Sequence, residues 1–138
     1  MSDTPSQPGF SWPVRVYWED TDAGGVVYYA NYLRFLERAR SEWLRALGVE
    51  QTELADRDGV LFVVRRVEAD YLRPARYNDL LRVVCRLEEV GRASLEMLQE
   101  IRRDADVLLQ ARVKLACVRV GDFKPAKIPE HVNQRIAN

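Results

Sequence analysis

The 138-residue chain has room for one apolar core but is short for two, and 47% apolar against 30% charged residues is a globular mixture, not that of a disordered chain. Lys plus Arg and Asp plus Glu each number 21, so no global basic field draws nucleic acid, and any anion site must be local. The opening MSDTPSQPGFSWP lacks the apolar run of a signal peptide, and no later stretch approaches the ~20 apolar residues of a membrane span. A cytoplasmic protein without membrane insertion is expected.

In chain order, residues 1–12 read as a polar, proline-punctuated tail and residues 13–138 as a single domain. Val14, Val16 and Trp18 alternate with Arg15, Tyr17 and Glu19, the period of a half-buried first strand, which dissolves into DTDAGG. From about Asn31, the apolar residues Tyr32, Leu33, Leu36, Ala39, Trp43, Leu44 and Leu47 recur at steps of three and four. This spacing predicts a long amphipathic helix that Gly48 can end in the left-handed conformation. QTELADRDG follows as a short helical or irregular connection. The period then changes to two, and four strands are predicted over residues 60–72, 80–90, 94–103 and 108–120. Pro74 with Asn78-Asp79, Gly91, and Asp104-Ala105-Asp106 supply the breaks. The tail GDFKPAKIPEHVNQRIAN reads as loop plus at most a short helix. A four-strand meander preceded by a strand and an amphipathic helix implies an α+β domain, with an antiparallel sheet packed on the helix.

Cys85 and Cys117 are too few for a disulfide framework and read as reduced packing residues. His131 is the only histidine, which leaves no His-rich metal site and points to no nucleophile motif. Trp18 and Trp43 fall on predicted apolar faces and read as core. The chemistry concentrates in EDTDAGGVVYY, where three carboxylates, a Gly-Gly pair and an incoming helix N-terminus coincide. A plain turn accounts for the same residues: Asp20, Thr21 and Asp22 bonding nearby amides, and Gly24-Gly25 supplying positive φ. The chemical alternative begins from the helix, whose first amides lack intrahelical partners and can hold an oxyanion. A carboxylate such as Asp22 opposite them can attack a carbonyl or activate a water. A thiolate leaves easily, so no histidine is obligatory for a thioester.

The run DTDAGGVVYYANYLRFLERARSEWL resembles the signature of hotdog-fold acyl-CoA thioesterases of the 4-hydroxybenzoyl-CoA thioesterase type, especially the branch associated with the Tol-Pal system. The likeness continues through VRRVEADYLRPARYNDLLRVVCRLEEVGRAS and covers most of residues 13–120. It implies a hotdog fold, a helix packed on a five- or six-stranded antiparallel sheet, and acyl-CoA hydrolysis without metal or organic cofactor, coenzyme A thioester being the substrate. It places the catalytic carboxylate on Asp22, as nucleophile or general base, the oxyanion donor on the backbone amide of Tyr29, and the loop glycine on Gly25. Many members of the Tol-Pal branch have histidine where this chain has Tyr29, so the Tyr29 ring either packs on the acyl group or completes the core. Arg92 matches the one cation left of a basic cluster that contacts coenzyme A in relatives; a solvated hairpin arginine is the competing reading, with Arg73 and Arg76 as rival cations. The resemblance also implies a homo-oligomer, dimer or tetramer. The reading from another class is a binding protein that docks acyl carrier protein or its acyl-phosphopantetheine without turnover.

Overall fold

The computed structural model describes residues 9–137. Five strands, β1 (Phe10–Arg15), β2 (Val60–Tyr71), β3 (Leu80–Val90), β4 (Ser94–Arg103) and β5 (Asp106–Arg119), form one antiparallel sheet in the order β1-β3-β4-β5-β2. Helix α1 (Tyr29–Ala46) lies between β1 and β2 in sequence, α2 (Gln51–Asp58) follows it, and α3 (Glu130–Ala137) ends the chain. This is the α+β hotdog arrangement expected from the sequence.

The eighteen residues of α1 bury Tyr32, Phe35, Leu36, Ala39, Arg40, Trp43 and Leu44, steps of three and one that keep a single stripe facing the sheet. On the sheet side, Leu81, Val83 and Cys85 of β3, Leu95, Met97, Gln99 and Ile101 of β4, and Leu109, Val113 and Leu115 of β5 are buried. The opposite sheet face carries Arg82, Arg86, Glu96, Glu100 and Arg112. Each fully buried large apolar side chain in that stripe contributes roughly 1.5–3 kcal/mol.

Two polar residues interrupt this core. Gln99 donates from Nε2 to the Leu36 carbonyl and to Cys85 Sγ, both at 3.0 Å, and its Oε1 accepts from Arg40 Nη1 at 3.0 Å. Burial lowers the pKa of the Arg40 guanidinium and pushes the thiols of Cys85 and Cys117 up to about 11. Both cysteines are therefore neutral packing residues, as their sequence context suggests.

One irregularity shapes the site. β2 carries a bulge between Val64 and Arg66, which shifts its alternation by one residue. Val64 pairs with Leu115 before it, and Val67, Ala69 and Tyr71 pair with Val113, Ala111 and Leu109 after it. Both halves of β2 therefore present side chains to the helix side, and Tyr71 arrives beside the start of α1.

The first strand differs from expectation. It runs from Phe10 to Arg15, not around Val14–Trp18, so residues 10–12 of the expected tail are strand; residues 1–8 of that tail lie outside the described residues. Pro13 is tolerated because β1 is an edge strand. Trp18 is a correction: it sits in a short 3-10 turn over Trp18–Asp20, is 72% exposed, and meets Tyr77 edge-on. The Asp20 carboxylate accepts the Tyr17 amide at 2.8 Å and turns the chain there, ending the alternation. Trp43 is core, as expected.

Candidate active site

The segment DTDAGG folds into a tight hairpin. The Asp22 amide donates to the Val26 carbonyl at 2.9 Å, the Gly25 amide returns to the Asp22 carbonyl at 3.0 Å, and Thr21 bridges Val27. This is a three-residue loop whose last position needs a left-handed residue. Gly25 fills it at φ +82°, with open space around its Cα. The conformation, not crowding, demands glycine, and the same openness lets a ligand reach the backbone.

Within that loop, Asp22 Oδ1 accepts the Gly24 amide at 2.8 Å, an Asx turn that fixes the carboxylate while the residue stays exposed. The plain turn role weighed from sequence is therefore real, and it also orients an acid. The hairpin is tied down on both sides. Asp20 gives its carbonyl to the Tyr28 amide at 3.0 Å and to Asn31 Nδ2 at 2.9 Å. The Val27 amide donates to the Ala75 carbonyl at 2.8 Å, and the Ala75 amide donates to the buried Tyr32 hydroxyl at 2.9 Å.

The hairpin delivers the chain into α1, which starts at Tyr29, two residues earlier than the apolar spacing indicates. Tyr28 is the N-cap, and no side chain caps the helix. The Asn31 amide reaches the Tyr28 carbonyl at 2.8 Å, whereas the amides of Tyr29 and Ala30 find no acceptor among the described residues. Two unpaired donors at the positive end of a helix dipole make an anion-binding terminus. Two residues, Val27 and Tyr28, separate Tyr29 from Val26, the hairpin partner of Asp22. Around this terminus the aromatic side chains cluster: the Tyr29 ring lies 4.8 Å from that of Tyr28 and 6.4 Å from that of Tyr71, and Tyr71 stacks edge-on to Tyr32 at 5.5 Å. Tyr29 is 63% exposed, so its ring does not complete the core.

The structure thus places Asp22 and Gly25 in the hairpin that runs into the start of α1 at Tyr29, and leaves Arg92 elsewhere. The hairpin is fastened to Ala75 and Arg76, just before β3 begins, while Arg92 follows the far end of β3. Eleven strand residues at about 3.3 Å each put roughly 35 Å between the two ends. Arg92 is exposed there, and its carbonyl accepts the Ile128 amide at 2.9 Å. Of the rival cations, Arg73 meets Asp106 at 3.6 Å, and Arg76 bridges Val26 through its backbone beside the hairpin. His131 is paired with Asp58 at 2.9 Å, between α3 and α2. The Ala30 amide is the residue that the sequence reading missed. Its signal was the missing Ser, Thr, Asp or Asn before the helix, which leaves more than one amide uncapped.

A family model for the thioesterase-like superfamily matches residues 16–136. The chain belongs to the thioesterase-like superfamily. Among relatives of this superfamily member, the acyl-CoA thioesterase YbgC of Haemophilus influenzae is 48% identical over 124 residues, 90% of this chain and 91% of the relative. The acyl-CoA thioester hydrolase YbgC of Escherichia coli O157:H7 is 44% identical over 125 residues, 89% and 92% of the two chains. A crystal structure of a probable thioesterase from Bartonella henselae superposes with a TM-score of 0.85 at 38% identity, covering 88% of this chain and all of that one. A 1,4-dihydroxy-2-naphthoyl-CoA thioesterase from Synechocystis, at 22% identity and a TM-score of 0.87, shares the fold. Together the superfamily and these relatives place the chain among the thioester hydrolases. No helix among the described residues is long and apolar enough to cross a membrane.

Proposed function

We propose that the protein hydrolyses acyl-CoA thioesters at the junction of the Asp22 hairpin and α1. The observation that carries this reading is the uncapped helix start: two successive amides, Tyr29 and Ala30, without acceptors among the described residues, at the end of a hairpin whose Asp22 carboxylate is oriented by its own turn. The relatives named for acyl-CoA hydrolysis supply the substrate class.

In this mechanism the thioester oxygen sits against the Tyr29 amide, with the Ala30 amide as a second donor. Asp22 takes a proton from a water whose oxygen attacks the carbonyl carbon, and negative charge moves onto the oxygen held at the helix start. Collapse of the tetrahedral intermediate breaks the carbon–sulfur bond. The acid and coenzyme A leave, the thiolate taking up a proton. Direct attack by Asp22, through an anhydride that water then opens, uses the same groups. Gly24 holds one carboxylate oxygen in the Asx turn and leaves the other for the reaction. The exposed tyrosines 28, 29 and 71 border the place where the acyl group enters.

Arg92, roughly 35 Å away along β3, takes no part in the thioester chemistry of its own chain. In this reading it meets coenzyme A phosphates only at the site of a second copy, in a homo-oligomer. The test is Asp22→Asn, which keeps the acceptor for the Gly24 amide. Turnover of an acyl-CoA panel, followed by thiol release, should fall about 10²- to 10⁴-fold with the unfolding midpoint unchanged. A folded variant with near wild-type turnover would falsify the assignment.

A further inference from the structure

Asn31 is the third residue of α1, after Tyr29 and Ala30, with Tyr28 as the N-cap. A polar side chain at that position ordinarily folds back onto the N-cap amide, as in a capping box. Here the Tyr28 amide is already taken by the Asp20 carbonyl at 3.0 Å. The Asn31 side chain turns to the same acceptor: its Nδ2 donates to the Asp20 carbonyl at 2.9 Å. One oxygen on the strand that leads to Asp22 therefore holds both the N-cap and the third residue of the helix.

The consequence concerns an angle. In the chain, hairpin and helix meet at Tyr28, an extended residue at φ −62° and ψ 132°, about which the two segments can pivot. Two ties restrain that pivot. One is indirect: the buried Tyr32 hydroxyl accepts the Ala75 amide at 2.9 Å, and the Ala75 carbonyl accepts the Val27 amide at 2.8 Å. It grips the strand that enters the helix. The other is the half-buried Asn31 bond, the one side-chain bond among the described residues that runs from α1 to the strand carrying Asp22. The buried stripe from Tyr32 to Leu44 sets where the helix lies on the sheet, which leaves the Asn31 bond to set how the hairpin meets its first turn. One hydrogen bond is a small part of a fold's stability, whereas a displacement of about 1 Å between reacting groups can cost roughly 10²-fold in rate. Such a bond matters more to geometry than to folding.

We propose that Asn31 is a positioning residue for thioester hydrolysis. It acts through Asp20 and not on the substrate: by holding the Asp20 carbonyl it fixes the Asp22 carboxylate, two residues along the same strand, relative to the amides of Tyr29 and Ala30. The inference rests on the assignment of Asp22 and the helix start to the reaction.

The experiment is steady-state turnover of benzoyl-CoA and hexanoyl-CoA, read by thiol release, in Asn31→Ala, Asn31→Leu, Asp22→Asn and the double variant of Asp22→Asn with Asn31→Ala. Asn31→Leu keeps nearly the shape of the side chain and removes the donor. Because Asn31 is half-buried, neither change opens a cavity in the core, and the urea unfolding midpoint should stay close to that of the wild type. Both single variants should lower kcat about 10- to 100-fold, with KM changed by no more than about twofold. The double variant should be no slower than Asp22→Asn alone, because residues that act as a unit are non-additive. A merely structural role would instead slow both backgrounds by the same factor. Hydrogen exchange at the Tyr28 amide, which shares the Asp20 carbonyl, should quicken in Asn31→Ala. Wild-type kcat in the folded Asn31 variants, a loss confined to KM, or additive losses in the double variant overturns the proposal and leaves the Asp22 assignment standing. Wild-type turnover in Asp22→Asn overturns both.

Discussion

The two ends of α1 treat the same problem in opposite ways. At the C-terminus, Gly48 at φ +82° lets its amide reach the Arg45 carbonyl and the Val49 amide reach the Leu44 carbonyl, both at 2.9 Å. This is a Schellman motif, with Val49 and Leu44 packed together in the core, and Arg135 adds a donor to the Gly48 carbonyl at 2.7 Å. At the N-terminus no side chain among the described residues caps the helix, and the amides of Tyr29 and Ala30 lie among exposed tyrosines. The difference teaches where ordinary stabilisation was forgone. An N-cap is worth about 1 kcal/mol, and leaving it out keeps donors free for a ligand's oxygen.

After the loss of turnover expected from Asp22→Asn, the largest effects belong to the sealed part of the helix and the core under it. The buried thiols of Cys85 and Cys117 are acids raised from 9.0 to about 11. Between those values the native state keeps protons that the unfolded chain releases, so stability is intact below pH 9 and is lost as pH rises through about 11. The loss is roughly 1–3 kcal/mol per thiol. Urea unfolding at pH 8 and pH 10.5 should show it, and a Cys85→Ala, Cys117→Ala double variant should have a flatter pH dependence. An identical slope in the variant removes the thiols as its cause.

Gln99→Leu takes away the amide that joins Arg40 to α1 and β3. It should cost about 2 kcal/mol in urea unfolding, the scale of a lost hydrogen bond to a charged group; a cost near zero would mean that Arg40 is not held by this residue. Gly48→Ala forces a side chain into the left-handed region and brings its Cβ to 3.0 Å from Arg135. About 1 kcal/mol of stability should be lost, confined to the sealed end. The smallest and sharpest change is Tyr28→Ser. A serine oxygen at the N-cap can accept the Ala30 or Asn31 amide, raising stability by about 0.5–1 kcal/mol while lowering turnover. A variant that gains stability with unchanged kcat would show that the free Ala30 amide is not used.

Most of the sheet was legible because its strands obey one rule. The boundaries 80–90 and 94–103 match β3 and β4, since turn residues bracket both strands, even though β3 slips register between Leu87 and Glu89. β1 was misplaced because alternation carries no information about where a strand stops: Val14, Val16 and Trp18 keep the period, but the Asp20 carboxylate turns the chain at Tyr17. The bulge in β2 was invisible for a related reason, being a register shift set by the facing strand and not by any breaker residue. Asp22 and Gly25 were readable because hairpin chemistry is local. The distance between Asp22 and Arg92 was not, because it depends on which end of β3 the hairpin is fastened to.

The sequence by itself determined the α+β class, the helix stripe, the turn at Asp22-Ala23-Gly24-Gly25 and the likeness to thioesterases, all of which rest on residues close together in the chain. Only the tertiary structure decided that Tyr29 and Ala30 leave their amides without an acceptor among the described residues, that Tyr71 reaches the Tyr29 ring from the bulged strand, and that Arg40 is buried against a neutral amide. Those are facts about which partners a group fails to meet. They are settled by packing between segments far apart in the chain, where periodicity and propensity have no reach.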